Sequence, residues 1–140
     1  MADFRLLPLL AGVLLAGASL AQTPEATMKA VVDGYRFELT VMPAAQDRAE
    51  QDSTIQRRIV VKAVERSVGH PVPLRAPVLQ VMRLKGEADT YVLHEVDPRG
   101  DPAYEATVAL RHRAAHSLVV LAQPSGTAHL LRATFHYRHR

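Results

Sequence analysis

The sequence predicts an all-β chain: a single antiparallel β-sandwich of about seven strands behind a cleaved signal peptide. Three observations predict it. Apolar and polar residues alternate with period two in run after run, as on strands with one buried face. Clusters of Pro, Gly and Asp separate those runs. No segment beyond residue 21 keeps a helical 3.6-residue repeat over three turns. At 140 residues the chain has enough length for one domain and too little for two.

The first 21 residues stand apart. Arg5 gives a short positive lead, Leu6–Leu15 form an apolar run, and Ser19-Leu20-Ala21 offers small residues before a cut after Ala21. The run is short for a membrane span and is broken by Pro8. Residues 1–21 are therefore expected to be a signal peptide, and 22–140 a periplasmic or secreted domain that is not integral to the membrane. The chain has no Cys, which excludes disulfides, thiolate metal sites and lipid attachment at a cysteine. Packing alone must hold the exported domain together.

The strands follow in order. Tyr35–Val41 is the cleanest, with Tyr35, Phe37, Leu39 and Val41 on one face and Arg36, Glu38 and Thr40 on the other. Pro43 ends it, and 43–53 is a polar connection. Ile55–Arg66 resumes with Ile59, Val61 and Ala63 inward. Pro71, Pro73 and Pro77 mark an extended edge or crossover. Val78–Leu84 and Tyr91–Val96 come next, separated by a turn at Lys85-Gly86-Glu87. Asp97-Pro-Arg-Gly-Asp-Pro102 is the strongest turn signal, and turn chemistry accounts for its Arg-Gly-Asp. Tyr104–Arg111 alternates. Ser117–Ala122 is nearly all apolar, as in a central strand covered on both faces. The last run places Leu131, Ala133, Phe135 and Tyr137 opposite Arg132, Thr134, His136 and Arg138.

Three pieces within residues 33–138 resemble the small exported Ig-like domains of bacteria typified by the YtkA-like family. They are Asp33-Gly34-Tyr35 at a strand entry, Val60-Val61-Lys62 through Gly69-His70-Pro71-Val72, and Asp101–Val108 with its Tyr-x-Ala-x-Val pattern and a hairpin partner at His116–Leu121. The resemblance implies an Ig-like sandwich. Some relatives carry Met- and His-rich loops linked to copper handling. This chain departs from that pattern, because Met42 stands alone and 43–53 contains neither His nor a second Met.

Histidine is the enriched functional residue. All seven lie beyond the signal, and residues 106–140 hold five of them, five Arg and no acid. His112 and His116 bracket a tight connection and are the candidate metal ligands, for Cu or Zn. Arg111 and Arg113 flank His112 and oppose a cation there. His136 and His139 fall on opposite faces of a strand, or on a solvated mobile terminus. No Gly-x-Ser-x-Gly elbow, phosphate loop or paired carboxylates are present, so no catalytic residues and no enzyme are expected. The leading expectation is a non-catalytic binding or accessory module of the bacterial envelope, whose partner is an envelope protein or an anionic surface. Nucleic acid is not expected. The alternative is a periplasmic copper- or zinc-handling protein using His112 and His116.

Overall fold

Asp33 and Gly34 adopt φ of 47° and 82°, the left-handed pair that a two-residue type I′ hairpin turn requires. They join β1 (Ala26–Val32) to β2 (Tyr35–Pro43), with Val32 opposite Tyr35 and Ala26 opposite Val41. The computed structural model describes residues 23–44, 54–83 and 86–139. The expected signal peptide, most of the 43–53 connection, and Leu84 at the end of the expected strand with Lys85 after it lie outside the described residues.

Among the described residues there are nine strands and no helix, where the sequence predicts about seven strands. Strand β3 (Thr54–Glu65) pairs antiparallel with β2, setting Leu39 beside Val61 and Val41 beside Ile59. The crossover 66–73 is held by Val72 N–H donating to Ala63 C=O at 2.9 Å and by a bridge between Val64 and Pro71. It delivers the chain to β4 (Leu74–Met82) in the second sheet. Pro77 sits where the β4 register shifts between Arg75 and Val78, with Ala76 at φ 47°. A bulge absorbs the N–H that proline lacks.

Tyr91–Val96 reads as one strand in the sequence, and the structure divides it. β5 (Ala88–Val92) pairs with β4, Leu93 is buried at the pivot, and β6 (His94–Glu95) joins the first sheet. The Leu93 N–H donates to Pro77 C=O at 3.0 Å, which ends the β5 ladder and turns the chain across the core. β7 (Tyr104–Arg111), β8 (Ala115–Pro124) and β9 (Leu131–Arg138) follow.

Two antiparallel sheets result: sheet A in the order β1-β2-β3-β7-β6 and sheet B in the order β5-β4-β8-β9. Inward side chains of both, including Phe37, Leu39, Ile59 and Val108 from A and Leu79, Leu118, Val120 and Phe135 from B, form one core. This is the layering of a β-sandwich. The Tyr104 hydroxyl accepts the Leu74 N–H at 2.9 Å and ties the two sheets together inside that core.

Candidate functional site

One end of the molecule gathers most of its unusual side chains. Here β1 and β3 begin, β4 and β9 end, and the β7–β8 hairpin turns. Arg57 continues the inward series Ile55-x-Arg57-x-Ile59 and is 6% exposed, a charge on the core face of β3. Such a charge needs partners to offset its lost hydration. Its Nε lies 2.8 Å from Glu25 Oε1, Nη1 donates to the Gln56 carbonyl at 2.7 Å, and Nη2 donates to His139 Nε2 at 3.1 Å. A guanidinium only donates, so His139 Nε2 accepts and the ring is neutral in this contact.

The Tyr137 hydroxyl completes the cluster by donating to Glu25 Oε2 at 2.8 Å. Burial first, then the hydrogen bond and negative charge of Glu25, push its pKa up to about 12; Arg57 acts in the opposite sense. The cluster clasps β9 against the start of β1 and closes that side of the sandwich. Sequence reasoning misses Arg57 and Glu25. The available signal is a charged residue at an inward position of an otherwise apolar period-two series.

The two predicted metal ligands are engaged on different partners. His112 is exposed in the hairpin, with its ring centroid 4.9 Å from that of His139 at a 46° tilt. His116 is on the inward face of β8 and 8% exposed. Its Nε2 lies 3.2 Å from Arg111 N and 3.1 Å from Arg111 O, accepting from the first or donating to the second according to tautomer. Among the described residues no group of three or more His, Asp or Glu side chains is placed to hold a metal ion.

The C-terminal histidines part company as strand geometry requires. His136 is exposed beside Ser117, with Nδ1 and Oγ 3.3 Å apart, whereas His139 is half-buried against Arg57 and His112. The solvated setting expected for His139 is thus corrected, because its ring is half-buried against Arg57. His70, His94 and His129 are exposed elsewhere. The Arg99-Gly100-Asp101 tripeptide forms part of a turn in which Asp97 Oδ1 accepts the Arg99 N–H at 2.9 Å.

Two further surfaces stand out. A cleft of about 610 Å³ opens between the ends of β4 and β7 and the start of β8. Val81 and Leu110 line it with Ala114, Ala115 and His116, and Arg83 and Arg111 contribute its cationic groups.

The other surface is the outer face of sheet B. Val92 on β5 is 60% exposed, Val78, Gln80 and Met82 follow on β4, and Leu121 lies on β8. Arg132, Thr134, His136 and Arg138 run exposed along β9. The one acid within these four strands, Asp89, is opposite inward Val81, so no carboxylate stands on the outer face. Sheet A differs: Lys29, Glu38 and Lys62 form a mixed cross-strand row on its outer face.

No helix among the described residues is long and apolar enough to cross a membrane. The chain matches no protein-family model and no curated protein sequence.

Proposed function

We propose that the chain is an exported, non-catalytic, Ig-like module of the bacterial envelope that docks on an acidic partner through the outer face of sheet B. The Ig-like reading is supported by strand order. The run β2-β3-β7-β6 facing β5-β4-β8-β9 corresponds to an A-B-E-D sheet opposite a C-F-G sheet with one added edge strand, and β1 is a further addition. The export reading rests on residues 1–21. The resemblance to YtkA-like domains agrees with both.

One observation carries the docking reading: the outer face of sheet B combines exposed Val92 on β5 and half-buried apolar residues on β4 and β8 with a cationic β9, and none of its four strands places an acid there. A solvated face normally mixes both signs, as sheet A does here. A one-sign face attracts and orients an oppositely charged surface, and apolar contacts then hold it. Site-specific photocrosslinking in envelope extracts tests this. A probe at Leu121 should capture a partner that a probe at Lys62, on the opposite face, does not. Arg132→Glu with Arg138→Glu should abolish the capture. Equal capture from both faces, or capture indifferent to charge reversal, would defeat the reading.

A further inference from the structure

We propose that the cleft between β4, β7 and β8 binds a small amphiphilic carboxylate, with its apolar chain between the sheets and its carboxylate on Arg111. The cleft meets the outer face of sheet B at Met82 and Ser117, but its small-molecule ligand is read separately from any docking on that face.

The cleft lies at the end of sheet A that β6 does not reach. β6 contributes only His94 and Glu95, which pair with Glu105 and Tyr104, so among the described residues β7 has no strand neighbour on that side beyond Glu105. The gap this leaves is partly bridged by side chains. The Tyr91 hydroxyl lies 3.5 Å from Ala109 N, and the His116 ring meets the Arg111 backbone. Between those two bridges and the β4 end lies the cleft, about 610 Å³, which falls within the usual range for small-molecule sites of roughly 300–1,000 Å³.

Its chemistry selects among ligands. Val81 and Leu110, almost wholly buried, form its floor, Met82 and Ala109 supply accessible apolar surface, and Ala114 and Ala115 keep the hairpin side of the cleft shallow. Such walls suit an alkyl or aryl chain. The two arginines differ. Arg83 is committed, with Nε and Nη2 each 2.8 Å from Asp89 Oδ2. Arg111 is exposed, lines the cleft and makes no ion pair among the described residues. Among the described residues the cleft therefore offers one guanidinium without an ion-pair partner beside an apolar hollow. A carboxylate complements it by a charge-assisted, bidentate hydrogen bond. His116 positions that group by holding the Arg111 backbone.

Titration calorimetry of the protein with decanoate, decanol and acetate tests the proposal. Decanoate should bind one per chain at micromolar concentration, and decanol and acetate should each bind at least about tenfold more weakly, because each lacks one half of the complement. Arg111→Gln should weaken decanoate about tenfold and leave decanol unchanged. Ala114→Trp should abolish decanoate binding by filling the hollow; Ala115→Trp serves if the first variant fails to fold. No saturable binding of decanoate, equal affinity for decanol, or indifference to Arg111→Gln would overturn the proposal.

Discussion

The Tyr137 hydroxyl donates a 2.8 Å hydrogen bond to Glu25 Oε2, joining the last strand to the residue just ahead of the first. The two strands concerned, β1 and β9, belong to different sheets. The bond therefore fastens one sheet edge to the other. Glu25 also sits 2.8 Å from Arg57 Nε, so one carboxylate serves a phenol and a guanidinium together.

This geometry sets a pH dependence. The Tyr137 pKa rises from 10.0 to about 12 in the folded chain, so the folded state holds the phenolic proton more tightly than the unfolded state. The stabilisation is fully present below pH 10 and is lost as pH rises from there through about 12. Urea unfolding across that window should show a falling midpoint, and Tyr137→Phe should flatten the fall. Absorbance titration should show a tyrosine step near pH 12, and the variant should lack that step.

Glu25→Gln should destabilise the protein by about 2 kcal/mol, since it removes the carboxylate from a guanidinium that is almost wholly buried. Arg57→Met alongside Glu25→Gln should recover most of that loss, because an apolar side chain suits the core face of β3. Denaturant melts of the two variants decide the matter. If the double variant is less stable than the single, Arg57 contributes by packing and by its other contacts, not through this ion pair.

The strands that bury one full face were legible in the sequence. Tyr35–Val41 and Leu131–Tyr137 alternate without interruption, and both are strands with those faces inward. β1 was missed because its inward residues include Ala26 and Ala30 and remain half-buried, so apolar contrast is weak. The Asp33-Gly34 pair beside it was the available signal of a hairpin. The division of Tyr91–Val96 was not legible, since Leu93 changes sheets through a contact with Pro77 that no local pattern encodes. The candidate site shows the same limit. His112 and His116 are near in sequence, yet His112 meets His139, which only the β8–β9 register brings there.

Arg113 closes the β7–β8 hairpin at φ 60°, a left-handed conformation that costs a residue with a Cβ free energy. Arg113→Gly should raise stability by roughly 0.5–1 kcal/mol, the usual margin for glycine at such a position being partly offset by the entropy of the unfolded chain. Thermal melts check the direction. A loss of stability would mean that the Arg113 side chain contributes more than its backbone strain costs.

His116 offers the sharpest separation between a structural histidine and a metal ligand. Its Nε2 is within hydrogen-bonding distance of both Arg111 backbone atoms, so it secures a strand end that pairs with β3 on one side and, among the described residues, with no strand on the other. Replacing it with Ala removes that bond and a buried ring, and should cost about 2 kcal/mol in protein freed of metal with EDTA. A copper or zinc ion using Nε2 would have to displace the Arg111 contact first. Stoichiometric Cu²⁺ or Zn²⁺ should therefore leave the melting temperature of the unsubstituted protein unchanged. A rise in melting temperature on adding either ion, abolished in both His112→Ala and His116→Ala, would instead assign the pair to metal binding and make the Arg111 contact the resting arrangement of a ligand.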